Sequence, residues 1–301
     1  MIINPTSPEQ KRKQLAEGIR SGRLLQFPGA YNPLVAMLIE QKGFDGVYVS
    51  GAVMANSLGL PDIGMTTLTE VTGAASSIAR VTSLPVIMDI DTGFGEPMMV
   101  ARTIKELIYL GIAGCHLEDQ VNPKRCGHLD NKELVSSTDM VKKIKAAAEA
   151  KTDPDFLLIA RTDAKGSEGM DKAIDRAKAY VDAGADMIFP EALQDEKEFE
   201  TFRKAISAPL LANMTEFGKS RLLTRQQLEN IGYNLVIYPV TTQRWAMKAV
   251  EDGLDSLRAA GTQAHTLEHM QTRARLYEVL NYEAYNQYDQ SLYNFRLGDD
   301  Q

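Results

Sequence analysis

Eight short aliphatic runs, at 24–30, 46–50, 85–91, 115–119, 156–163, 187–191, 209–214 and 235–240, alternate along this chain with segments of helical apolar spacing. Val71, Ala74, Ala75 and Ile78 fall at i, i+3, i+4 and i+7, the stripe of a helix lying on a sheet. Val100, Ile104, Leu107 and Ile108 form a second stripe, Ile174, Ala177 and Val181 a third, and Phe199, Phe202 and Ile206 a fourth. Gly43, Gly111, Gly184 and Gly232 each stand just before the next aliphatic run, where a left-handed residue closes a helix. Eight strand and helix units without a composition break predict an α/β fold, a single (β/α)8 TIM-type barrel over 1–301. A doubly wound parallel sheet is the alternative. Residues 261–301 read as a helical extension whose five tyrosines, Tyr277 to Tyr293, are expected to pack on another subunit.

Charge and apolar patterning narrow the class. Forty acidic residues against 33 basic ones, a formal charge of -7, argue against nucleic acid or an anionic membrane surface as partner. No apolar stretch approaches the ~18 residues of a membrane span, and the N-terminus lacks the apolar run of an export signal. Two cysteines give no disulfide framework, so a cytoplasmic location is expected. Lys11-Arg12-Lys13 reads as a charge run on a solvated N-terminal helix.

Barrel enzymes carry their chemistry at the C-terminal strand ends, and here those ends are polar. They offer Ser50 and Gly51 with Asp62 beyond, then Asp89 and Asp91, Glu118, Arg161, Glu191, Asn213 and Thr215, with Arg244 after the last run. One such carboxylate would be a helix cap. Asp62, Asp89, Asp91 and Glu118 converging on one mouth would repel unless a hard cation intervened, and oxygen-only donors favour Mg²⁺ or Mn²⁺. Arg161 and Arg244 suit bidentate capture of substrate carboxylates, or ion pairs with neighbouring acids. Cys115 lies inside a strand and reads as a small buried hydrophobe. Cys126 stands in a polar loop beside Lys124, Arg125 and His128, whose positive charge favours thiolate and proton transfer. Gly127 lets the backbone approach a ligand and offers an amide to a developing oxyanion.

HLEDQ followed by KRCGHL, together with SLGLPD, DIDTGFG, ARTDA, FPEA and NMTEFG, resembles the isocitrate lyase and phosphoenolpyruvate mutase superfamily from about Leu24 to beyond Arg275. Within it the chain resembles the short 2-methylisocitrate lyases, being too short for the insertions of isocitrate lyases proper. The resemblance implies a modified barrel, Mg²⁺ dependence, a mobile cysteine loop, and a homotetramer that exchanges C-terminal helices. By motif, Asp89 would touch the metal most directly, with Asp62, Asp91 and Glu118 holding its waters. Ser50, Gly51, Gly127, His128, Arg161, Glu191, Asn213, Thr215 and Arg244 would contact substrate. The implied reaction cleaves 2-methylisocitrate to pyruvate and succinate in propionate catabolism, with Tyr48 as base and Cys126 as acid. Phe189, Ile237 and Pro239 would then wall the substrate methyl. Ser50-Gly51-Ala52-Val53 departs from the Ser-Gly-Gly-Gly of many relatives. The alternatives are a lyase or hydrolase for dimethylmalate, isocitrate or oxaloacetate, or a non-catalytic dicarboxylate-binding barrel.

Overall fold

The structure, a computed structural model, describes residues 6–125, 127 and 132–294; Cys126 and His128 lie outside them. All eight aliphatic runs form strands: β1 Leu25–Pro28, β2 Val47–Val49, β3 Val86–Asp89, β4 Gly114–Glu118, β5 Leu157–Thr162, β6 Met187–Pro190, β7 Leu211–Asn213 and β8 Leu235–Tyr238. Every pairing is parallel, in two arcs, β1-β8-β7 and β2-β3-β4-β5-β6. Parallel bridges Gly29 to Tyr48 and Ile188 to Leu210 join the arcs, so the ring closes as a barrel and not as the open doubly wound sheet.

The pleat sorts the strand residues into two cores. Phe27, Tyr48, Ile87, Ile159, Phe189, Leu211 and Ile237 fill the interior, while Val47, Val49, Met88, Leu158, Ile188 and Val236 face the helical layer. Helices Leu68–Ala79, Pro97–Tyr109, Met170–Asp182 and Glu196–Ala205 carry the four apolar stripes onto that outer face. The first of them opens with a capping box between Thr67 and Glu70. Cys115 faces the outer core, fully buried.

The N-terminal helix Pro8–Arg20 corrects one expectation. Leu15 and Ile19 enter the inner core, and Lys11 and Arg12 are buried, 4% and 2% exposed. Lys11 Nζ donates to the carbonyls of Ala79 and Thr82, and Arg12 donates to those of Ile108 and Ile112 and pairs with Asp153. These carbonyls sit at helix exits, where a cation offsets the negative end of the helix dipole, so the charge run is structural.

By compactness the chain divides into two units, 1–245 and 246–301. The second holds the remainder of helix Thr241–Ala260, a short 3-10 turn, and helices Arg273–Val279 and Tyr282–Tyr293. Tyr277 and Tyr282 stack there at 4.6 Å between ring centroids. Among the described residues, no helix is long and apolar enough to cross a membrane.

Gly232 ends helix Arg225–Ile231 with φ 97°, and a Cβ there would meet Arg203 Cδ at an ordinary 3.5 Å. Gly232→Ala therefore adds backbone strain alone, about 1–2 kcal/mol. At about 2–4 °C per kcal/mol for a unit of this size, thermal melting should show a loss of several degrees.

Candidate active site

Inward parity continues past the apolar barrel floor into the mouth, where it places polar side chains. Residues 48 and 50, 89 and 91, 116 and 118, 161 and 163, 189 and 191, 213 and 215, and 237 and 239 all share it. Tyr48, Ser50, Asp62, Asp89, Gly127, Arg161, Phe189, Glu191, Asn213, Thr215, Ile237 and Pro239, all sequence candidates, wall one cavity of about 60 Å³. Ala52, Lys124 and Val240 complete it. Ligand sites usually measure ~300 Å³ or more, so the cavity must widen for a diacid to enter.

Gly51 and Asp91 stand just behind the wall. The Gly51 amide donates to Asp89 Oδ2 at 3.3 Å, and a Cβ there would come within 2.9 Å of that oxygen. Ser50 caps helix Gly51–Ser57, whose next residue, Ala52, takes its place in the cavity wall in the run that departs from Ser-Gly-Gly-Gly. Asp91 adopts φ 48°, held by its own amide donating to Asp89 Oδ1 at 2.9 Å. Non-glycine residues in this region are strained, and such strain gathers at functional sites.

Arg161 is the electrostatic centre. Its Nε donates to Asp163 Oδ2 at 2.9 Å, its Nη1 lies 3.2 Å from Glu191 Oε2, and its Cζ stands 5.1 Å over the Phe189 ring. Glu118 Oε2 is also 3.2 Å from Nε, but the single Nε hydrogen points to Asp163, and both Glu118 oxygens lack a hydrogen bond. Burial, resisted by Arg161 and Lys124, pushes the Glu118 carboxyl well up. Lys124 Nζ lies 2.5 Å from Asp62 Oδ1 and 2.9 Å from Asp91 Oδ1. Burial and the Asp89 charge still push Asp91 up to about 6. Burial alone would raise Asp89, but His116, Lys124 and Arg161 bring it below its ordinary value.

Tyr48 Oη and His116 Nε2 are 2.7 Å apart, and His116 Nδ1 lies 3.6 Å from Asp89 Oδ1. Burial lowers His116 to about 4 against the pull of Asp89, so the imidazole is neutral at pH 7. Burial and Asp89 push the Tyr48 phenol well up, so it keeps its proton at rest. A base role for Tyr48 therefore needs an acceptor behind it, and His116 stands there.

Arg244 is not brought to the cavity. Its guanidinium is half exposed, 3.7 Å from Glu216 Oε2 and 5.2 Å from the Phe217 ring centre. Sequence reasoning passed over His116, Lys124, Lys132 and Asp163 as site residues. The two-residue parity was the available signal for His116, which shares it with Glu118, and for Asp163, which shares it with Arg161.

A family model described as phosphoenolpyruvate phosphomutase matches residues 15–258. The chain is 58% identical over 300 residues to a probable 2-methylisocitrate lyase 1 of Corynebacterium glutamicum, covering 99% of this chain and 98% of that one. It belongs to the phosphoenolpyruvate mutase/isocitrate lyase superfamily. Among solved superfamily structures, 2,3-dimethylmalate lyase matches with TM-score 0.89 and 31% identity, covering 99% of this chain and 100% of that one. A phosphonopyruvate hydrolase complexed with oxalate and Mg²⁺ matches with TM-score 0.85 and 30% identity, covering 93% and 98%.

The cavity wall makes the close approach of Gly127 testable. A Cβ on Gly127 would stand 2.3 Å from Arg161 Nη2 and 2.5 Å from Glu191 Cγ. Gly127→Ala must lift this backbone off the cavity, and such displacements cost about 10²-fold in rate. Steady-state assay should show that loss while the melting temperature stays within a few degrees of wild type.

Proposed function

We propose that this chain cleaves 2-methylisocitrate between C2 and C3, giving pyruvate and succinate. The observation that carries the reading is one cavity joining the Tyr48–His116 pair and Asp89 to an apolar wall of Phe189, Ile237 and Pro239. It stands in a chain 58% identical to a probable 2-methylisocitrate lyase. The substrate would lay its C2 hydroxyl and carboxylate toward Asp89 and its methyl toward that wall.

The residues suit a divalent cation. Among the described residues, Asp62, Asp89, Asp91, Glu118, Asp163 and Glu191 gather around Lys124, Lys132 and Arg161, and Glu118 has two buried oxygens without hydrogen bonds. Among the described residues no three His, Cys, Asp or Glu side chains meet closely enough to hold an ion alone. Such a donor set fits a hydrated Mg²⁺, or Mn²⁺, with Asp89 nearest and Asp62, Asp91 and Glu118 reached through water. Bound there, the ion would offset the charge that builds on the C2 oxygen.

Tyr48 would take the C2 hydroxyl proton as its own passes to His116 Nε2. The C2–C3 pair would then move onto the succinate half, whose charge the Gly127 amide, His128 and Arg244 would meet, Arg244 by swinging in from Phe217. Cys126 would protonate the C3 carbon. Ser50, Gly51, Arg161, Glu191, Asn213 and Thr215 would orient the carboxylates, directly or through Asp89. The reading places the protein in cytoplasmic propionate catabolism.

A coupled assay should detect pyruvate from 2-methylisocitrate in preference to isocitrate and dimethylmalate, by no more than about 10- to 200-fold from one methyl pocket. Ile237→Phe should cut methylisocitrate cleavage more than isocitrate cleavage. Chelator should abolish turnover and Mg²⁺ restore it. Because Asp91 is raised to about 6, protonation below that pH removes an anion from the site. Calorimetric Mg²⁺ affinity should therefore weaken as pH falls through 6, with proton release on binding. Full turnover in excess chelator would sink the metal reading.

The assembly is read from two uncovered surfaces. Helix Thr241–Ala260 buries none of its residues and exposes Met247, Val250, Leu254 and Leu257 at helical spacing. Unit 1 carries an apolar groove of about 640 Å³, lined by Pro28, Tyr31, Val35, Leu38, Tyr238 and Trp245 among others, where an eighth barrel helix would pack. We infer that the C-terminal helical extension, 261–301, is exchanged between copies within a homotetramer, together with the helix that leads into it. Sedimentation should find an oligomer, and Leu254→Glu should dissociate it; a monomeric wild type would overturn the exchange.

A further inference from the structure

We propose that Lys132 is a positioning residue for this reaction, a two-pronged donor that clamps the Gly127 backbone to the end of β5. The proposal rests on the lyase reading above. Lys132 lies outside regular structure, yet its side chain is only 4% exposed. Burying a lysine forfeits hydration and rotamer freedom, so its partners must return a comparable gain. Its Nζ donates to the Gly127 carbonyl at 2.5 Å and to Asp163 Oδ1 at 2.7 Å. Both are charge-assisted bonds.

Asp163 is a rigid anchor. Its amide donates to Asp119 Oδ1 at 2.9 Å, and Asp119 Oδ2 accepts from Thr162 Oγ1 and Tyr180 Oη, each at 2.8 Å. This ties the end of β5 to helix Met170–Asp182. Asp163 Oδ1 also accepts from Arg161 Nη2 at 3.2 Å, so one oxygen serves both cations. Lys132, Asp163 and Arg161 thus close a frame, and the Gly127 α-carbon rests on the Arg161 and Glu191 side of it. Arg161 and Glu191 leave Gly127 no room to move inward, and Lys132 holds it from moving outward. The ammonium therefore fixes the height of the Gly127 amide above the substrate.

Lys132→Ala should lower kcat for 2-methylisocitrate cleavage by about 10²-fold with little change in KM, as expected for a misplaced group. Added ethylamine should restore part of kcat, while propanol, of similar size but uncharged, should not. Deuterium uptake over 122–132 should rise in the variant, read on unmodified protein without substrate. Should the alanine variant fail to fold, Lys132→Gln retains a donor without the charge and should show the same kcat loss and uptake. Wild-type kcat in either variant, a loss confined to KM, or unchanged uptake would overturn the clamp. If wild type releases no pyruvate from any diacid, the lyase reading falls, and the uptake measurement still decides the clamp.

Discussion

A closed ring of parallel strands has one interior, and the two-residue pleat commits every second side chain to it. Everything at this site follows from that commitment. Leu25, Leu157, Met187, Leu211 and Leu235 pack the lower interior, with Leu15 and Ile19 beside them. Nearer the C-terminal strand ends around the ring, the same inward parity gives Tyr48, Asp89, His116, Arg161 and Asn213. No residue in the mouth can retreat to solvent without breaking register, so polar groups there must satisfy one another.

That confinement sets the electrostatics. Buried carboxylates are costly unless paired, and the mouth holds more of them than cations. The structure answers by raising Glu118 and Asp91, keeping His116 neutral, and drawing Lys124 and Lys132 inward from the β4 loop. A neutral imidazole behind a protonated phenol is an unusual resting pair, ready to move a proton inward but unable to accept charge from solvent. Excess negative charge beside it is the state that a hydrated divalent ion would relieve.

Helices such as Leu68–Ala79 and Pro97–Tyr109 cover the outer face of the strands, and the groove near β1 and β8 is lined by half-buried apolar side chains. Val35, Leu38 and Tyr238 there, and Leu254 and Leu257 in the second unit, are complementary in character and differ only in which element carries them. Exposed apolar area of this kind marks interaction surfaces in general.

The sequence by itself determined what is local. Aliphatic runs, helical stripes and exit glycines set all eight strands and most helices, because backbone propensity and apolar period act over a few residues. Strand-end motifs likewise located most of the cavity wall. Only the tertiary structure decided which of those groups meet. Tyr48 and His116 are 68 positions apart and come into hydrogen-bond range through ring closure. Arg161 spends its guanidinium on Asp163, Glu118 and Glu191, whereas Arg244, equally suggestive in sequence, stays half exposed on Phe217. Lys11 and Arg12 read as solvated until helix exits are brought over them, and Lys132 gives no sign of its role until Asp163 lies beside it. Charge is legible in a sequence; its partner is not, because pairing across a barrel is set by closure and register over long separations, which no local pattern encodes.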